Sequence, residues 1–288
     1  MFRPFELVQP TSIAEAATCL EAYPDDARVY AGGSELLLVM RLGLLHPKLL
    51  VNIKNIPGLD RLVLENGDLC IGSLVTHRRL EVTPLIREKF PLIADMESKL
   101  ANVRVRNVGT IGGNLAFAEP HSDPATLFLI YEARVIVQSS REIRKVPLDK
   151  FFVGAYETVM RPTEILTEIQ VPALPLGMTG SYIRWGRLER PTLNVAVGIK
   201  KGQNGLLESA RVAIGSVGTV PMRVPDLEAS LLGMEIAAAC AHVETSGPLL
   251  RDCLAPVSDL HGSEDYKIYM TKVLLQRALR EASGEVVQ

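Results

Sequence analysis

Cysteine and histidine are scarce in this chain, and their spacing excludes more than their number does. Four cysteines, Cys19, Cys70, Cys240 and Cys253, lie far apart with no CxxC or CxH spacing. Such thiols read as buried or idle in a reducing compartment. The clustered cysteine ligands of an iron–sulfur cluster are missing. Among His46, His77, His121, His242 and His261, no pair has the i, i+4 spacing of a helical metal site. No metal is therefore expected on this chain. No apolar run approaches the ~20 residues of a membrane span. Met1-Phe2-Arg3-Pro4-Phe5-Glu6 lacks the apolar core of a secretory signal, so a cytoplasmic location is expected. A formal charge of −2 offers no concentrated basic surface for nucleic acid.

The nucleotide fingerprints are missing too. Neither G-x-G-x-x-G nor the P-loop pattern occurs. His121 beside Ser122 is proximity in sequence, not a triad, and no paired carboxylates suit acid–base work. Any chemistry must come from a bound cofactor. An apolar fraction of 47% with 22% charged residues is ordinary for a soluble globular protein. The 288 residues can bury a real core and divide into two or three subdomains.

What the chain does have is two glycine stretches. One is Arg106-Asn107-Val108-Gly109-Thr110-Ile111-Gly112-Gly113-Asn114-Leu115; the other, far upstream, is Ala31-Gly32-Gly33-Ser34-Glu35-Leu36. Paired glycines let backbone N–H groups come close to a ligand. The hydroxyls of Ser34 and Thr110 and the Asn114 amide add donors. Convergent donors of this kind suit a diphosphate, clamped from both sides. The plain alternative for either stretch is a glycine turn between a strand and a helix.

Taken in order, the chain predicts a capping box at Ser12 and Glu15, with a helix running to Pro24. A buried strand (Arg28 to Ala31), a helix (Ser34 to Leu42) and a strand (Leu49 to Ile53) follow as a βαβ-like unit. Asn66-Gly67 between apolar runs marks a hairpin. Thr76 caps a short helix, and Pro91 opens a helix reaching Leu100. Asp123-Pro124 opens another, then come a strand (Ala133 to Gln138), a connection (Val146 to Phe152) and a strand (Ile165 to Val171). Beyond the prolines at 172 and 175, strands are expected at Ser181 to Arg184, Asn194 to Lys200 and Ala210 to Ser216. Helices follow at Pro225 to Leu232, Ile236 to Thr245 and Ser263 to Ala282. The fold class expected is α+β, with divisions at 1–55, 56–175 and 176–288.

GTIGGNL followed by Ala118-Glu119-Pro120-His121-Ser122-Asp123, with AGGSELL upstream, resembles the FAD-binding medium subunit of the molybdenum hydroxylases. That family includes carbon monoxide dehydrogenase, quinoline and nicotinate oxidoreductases, and the middle part of xanthine dehydrogenase. The resemblance runs almost end to end. It implies a two-part FAD-binding domain of the vanillyl-alcohol-oxidase (PCMH) type and a C-terminal domain with a three-stranded antiparallel sheet and helices. It implies the FAD diphosphate and ribityl chain between two walls. Ala31, Gly32, Gly33, Ser34, Glu35 and Leu36 form one; Thr110, Ile111, Gly112, Gly113 and Asn114 form the other. Asp123 matches an aspartate that accepts from a sugar or adenine donor, with helix N-cap as its alternative. Leu166 matches an apolar position near the flavin ring, with strand core as its alternative. Arg184 matches a basic position near the flavin, with a solvated strand edge as its alternative.

The resemblance further implies partners: a large subunit holding molybdopterin and a small one holding two 2Fe–2S clusters. Electrons would pass from those clusters through FAD to an external acceptor, in a complex that doubles into a dimer of heterotrimers. A self-sufficient flavin oxidase or dehydrogenase and a non-catalytic assembly subunit remain as alternatives. Two departures stand out. Glu35 occupies a position where aspartate, serine or another small residue is common, and Glu189-Arg190-Pro191-Thr192 replaces a segment that carries an aspartate in many relatives.

Overall fold

Ser12 accepts a hydrogen bond from the Glu15 amide at 3.2 Å and starts the helix Ile13–Ala22. The Glu15 carboxylate reaches back to the Thr11 amide at 2.8 Å. Through Ala16 and Leu20 the helix covers a parallel sheet whose central strand, Leu49–Asn52, lies between Glu6–Val8 and Ala27–Tyr30. The computed structural model of the protein describes residues 2–186 and 190–285. Glu189 therefore lies outside the described residues, as does part of the connection between Gly186 and Pro191.

The helix expected from Ser34 starts later, at Leu36, and ends at Arg41. The reason is local: Gly33 sits at φ +81°, which no helix accommodates, so residues 31–35 stay an open loop.

The hairpin forms as expected, with Asn66 at φ 51° and Gly67 at φ 88°, both left-handed as a type I′ turn requires. Its strands, Leu62–Glu65 and Asp68–Gly72, belong to a five-stranded antiparallel sheet. Ile165–Pro172 is the central strand, between Asp68–Gly72 and Arg134–Gln138. The outer strand Ile143–Pro147 was not expected; Val146 is its only buried residue, too little to reveal a face. The expected connection from Val146 to Phe152 is corrected accordingly to strand, a single 3-10 turn and the start of a second strand. Val103–Val108 is a helix, capped by Asn102, whose Oδ1 accepts from the Arg104 and Val105 amides.

The last sheet has four strands, not three. Met178–Trp185, Leu193–Lys201 and Leu207–Gly215 pair antiparallel, and the two-residue Met222–Arg223 adds to Ala213 and Ile214. Two residues are too few to show a period-two pattern. Helices Pro225–Ser230, Ile236–Thr245, Gly247–Leu254 and Glu264–Ser283 pack over this sheet on a separate apolar core. Among the described residues, no helix is long and apolar enough to cross a membrane.

The helix Asp123–Ile130 is buried along its whole length and joins the core of the five-stranded sheet, the second core in chain order, to the four-stranded last sheet. Thr126 Oγ1 donates to Asn194 Oδ1 at 2.7 Å, and Asn194 Nδ2 donates to the Ser122 carbonyl at 3.1 Å. This close seat exists because residue 215 has no side chain: a Cβ there would stand 2.0 Å from Thr126 Oγ1. Gly215→Ala should therefore lower unfolding free energy by about 1–3 kcal/mol through overpacking. Gly247→Ala, whose Cβ meets nothing within 4 Å, is the matched control. Equal midpoints in urea for the two variants would contradict this.

Candidate cofactor site

Two stretches of backbone approach each other where neither carries a side chain. A Cβ on Gly32 would stand 2.2 Å from the Val108 carbonyl oxygen, and one on Gly112 would stand 2.4 Å from Ser73 Cβ. The glycines are thus required first by the packing of three chain segments. Between those segments lies a cavity of about 1000 Å³.

The two walls are not alike. The downstream glycine pair lies in the first turn of a helix, Ile111–Phe117, whose N-cap Thr110 accepts from the Gly113 amide at 3.1 Å. Ile111 donates to Val75 O, Gly112 to Ser73 O and Asn114 to Thr110 O. Those amides are therefore consumed by protein acceptors. What this wall offers is the Asn114 side chain: Ser122 Oγ donates to Asn114 Oδ1 at 2.7 Å, leaving Nδ2 as the available donor. On the upstream wall, no acceptor among the described residues takes the amides of Gly32, Gly33, Ser34 and Glu35. The hydroxyls of Ser34 and Ser73 are buried at the cavity without a partner. Buried unpaired donors cost free energy unless a ligand or water meets them.

Twelve of the fourteen residues expected at the site line the cavity: Ala31, Gly32, Gly33, Ser34, Glu35, Leu36, Thr110, Gly112, Gly113, Asn114, Asp123 and Leu166. Ile111 does not; it is fully buried in the second core. Arg184 stands behind the lining, with Nε donating to Asp123 Oδ1 at 3.1 Å, and so is no solvated edge residue. Tyr182 donates to the same oxygen at 2.6 Å. Burial pushes the Asp123 carboxyl up, while Arg184 and Tyr182 oppose it. Ser122, not Asp123, is the N-cap of the following helix. Leu166 is both strand core and cavity lining.

Several lining residues had no sequence signal. His77 reaches Glu97 through Nδ1 at 2.8 Å, with Glu97 fully buried. Burial pushes the Glu97 carboxyl up against the pull of His77. Tyr156 donates to Glu119 Oε2 at 2.7 Å, and burial together with Glu119 pushes its hydroxyl up to about 12. Glu164 receives both arms of Arg144, Nε and Nη2, at 2.7 Å each. Glu119 lies inside a recognised motif; the others sit at element ends that no periodicity marks.

Residues 3–174 match the model of the FAD binding domain in molybdopterin dehydrogenase. The chain belongs to the FAD-binding medium-subunit family of the molybdenum hydroxylases. Residues 188–282 match the CO dehydrogenase flavoprotein C-terminal domain. The medium chain of carbon monoxide dehydrogenase from Hydrogenophaga pseudoflava is 31% identical over 280 residues, covering 96% of each chain. The nicotine 6-hydroxylase medium subunit of Paenarthrobacter nicotinovorans is 31% identical over 276 residues, again covering 96% of each. Among solved structures, the Hydrogenophaga enzyme superposes with a TM-score of 0.93 at 31% identity over the whole of both chains. Quinoline 2-oxidoreductase from Pseudomonas putida 86 gives 0.90 at 28% identity, covering 99% of this chain and 98% of that one.

The cavity fits the cofactor of this family. Its upstream wall presents unclaimed amides and an unpaired serine hydroxyl, the donor set an anionic diphosphate needs. Glu164, at the cavity edge, is held by its own partners. Burial pushes its carboxyl up, but Arg144 and the Arg161 amide more than offset this and hold it below the usual range. Its contribution is present above the unfolded value of about 4.3 and is lost as pH falls through the folded value. Glu164→Gln should cost roughly 1–3 kcal/mol at neutral pH. It should also flatten the fall in stability below about pH 4.3. Denaturant titrations at several pH values measure both effects.

Proposed function

We propose that this chain is the flavoprotein, electron-transfer subunit of a heteromeric molybdenum hydroxylase. It stands between the 2Fe–2S clusters of a small partner and an external acceptor, while a large partner holds molybdopterin and hydroxylates the substrate. The assembly is a dimer of heterotrimers in the cytoplasm. Residues 1–55 and 56–175 make the two parts of an FAD-binding domain of the PCMH type, and residues 176–288 make the C-terminal domain. Three apolar cores follow that division in the main, although Ile56, Leu59 and Ile165 join the first and Tyr182, Ala196 and Ala213 join the one of the five-stranded sheet. The observation that carries the reading is the cavity itself, where unpartnered donors converge in a chain of this family.

When bound, FAD supplies a carrier that exchanges electrons singly or in pairs. The chain's own residues do the holding. The amides of residues 32–35 and the Ser34 hydroxyl receive the diphosphate, and Asn114 Nδ2 donates from the opposite wall. Leu166 excludes water from the apolar part of the cavity. Arg184 acts through Asp123, fixing the carboxylate at the cavity edge.

A visible spectrum of the chain, alone and co-purified with the products of neighbouring genes, tests the reading. Flavin bands near ~450 nm that release FAD on denaturation support it. Iron–sulfur absorbance and molybdenum should appear only in the co-purified sample. A colourless chain in both preparations would overturn the proposal. Ser34→Ala should weaken FAD binding about 3–10-fold, because one donor is lost. The FAD-free variant should be at least as stable as the parent, since an unpaired buried hydroxyl has been removed.

A further inference from the structure

The two departures from the family pattern meet across the cavity. Glu35 lies on the upstream wall, within the run of unclaimed amides, and Arg190 precedes the strand Leu193–Lys201. They are 155 residues apart in sequence, yet Arg190 Nη2 donates to Glu35 Oε2 at 2.9 Å. Its other arm, Nη1, lies 2.7 Å from Glu119 Oε2, the oxygen that also accepts from Tyr156. The segment behind Arg190 is fastened as well. His121 Nδ1 donates to the Pro191 carbonyl at 2.8 Å, and its Nε2 lies 3.0 Å from Asp259 Oδ2.

The charges around the cavity are unevenly matched. Among the described residues, four carboxylates line it: Glu35, Glu119, Asp123 and Glu164. Asp123 is paired with Arg184 and Glu164 with Arg144. For Glu35 and Glu119, the only ion partner among the described residues is Arg190. Arg28, which also lines the cavity, bonds the carbonyls of Asp25 and Ala27 through Nη1 and pairs with no carboxylate among the described residues. A carboxylate on the wall that receives a diphosphate is repulsive unless a cation cancels it.

We propose that Arg190 is the charge-cancelling clasp of the cofactor cavity. From the C-terminal side it offsets one of the two negative charges that Glu35 and Glu119 present to the cofactor's diphosphate, and ties the two sides of the cavity together. This rests on the FAD reading above and deepens it. In this chain, glutamate at 35 is compatible with a dianionic ligand because arginine at 190 accompanies it. Arg190 is a positioning residue: it acts through the two carboxylates.

The test is a double-mutant cycle on cofactor binding in the full chain co-purified with its partner subunits. Flavin is removed and FAD titrated back, with the bound fraction read from the quench of flavin fluorescence. Arg190→Ala should raise the Kd roughly 10–100-fold and speed FAD release, the size expected for an uncancelled charge within about 8 Å at an intermediate dielectric. Arg190→Lys, which keeps the charge but not the fork, should fall in between. Adding Glu35→Gln to Arg190→Ala should restore most of the loss, and Glu35→Gln alone should bind at least as tightly as the parent. The melting temperature of each FAD-free variant separates misfolding from lost affinity. Arg190→Ala within threefold of the parent, or a double variant no tighter than Arg190→Ala, overturns the clasp and leaves the FAD assignment standing. A parent that takes up no FAD overturns both.

Discussion

The cavity depends on one close approach: Gly32 against the Val108 carbonyl, with Gly112 against Ser73 completing the seam. The segments pack there at distances that an added side chain would forbid, and the Gly112 amide donates to the Ser73 carbonyl across the seam. Protein interiors resist such overpacking strongly. Once the seam is fixed, the orientation of the loop at residues 31–35 follows, and with it the direction of its unclaimed amides. The downstream glycine pair has a different duty. It opens a helix and spends its amides on Thr110 and Ser73, so that wall contributes shape and the Asn114 side chain.

The two glycine stretches thus share one cavity, for a packing reason that the motif alone does not carry. Gly-Gly beside a hydroxyl reads as a ligand loop, and both stretches do line one cavity. Sequence spacing cannot show which amides remain free after packing, because that depends on partners such as Ser73 and Val75, far away along the chain. Strong local signals formed as expected: the Ser12 cap, the Asn66-Gly67 turn and the Thr76 cap. Weak ones did not. Ile143–Pro147, with only Val146 buried, and the two-residue Met222–Arg223 are outer strands too short to give a period, and the helix Gly247–Leu254 opens on a Gly-Pro pair that reads as a turn. The pairing of Arg190 with Glu35 spans 155 residues. No local pattern encodes it, although both positions were visible as oddities.

Asp123 shows how one residue can serve the site and the framework together. It borders the cavity, begins a wholly buried helix, and accepts from Tyr182 and Arg184 on the first strand of the last sheet. A few residues on, Thr126 and Asn194 repeat the connection. Buried polar groups with every partner present specify geometry more sharply than apolar contacts of the same area. Here they align the C-terminal sheet with the cavity wall.

The central strand Ile165–Pro172 has a consequence for how the molecule is made. It lies between strands that precede it by a long stretch of chain, so until it is inserted the five-stranded sheet exists as two separate hairpins. Leu166, at its start, is also part of the cavity lining. On a ribosome delivering about 5–20 residues per second, the hairpins and helices can form early. The sheet, and the chamber beside it, can close only after this late segment has emerged from the exit tunnel. Strand order thus places closure of the cavity after residues 165–172 have been made.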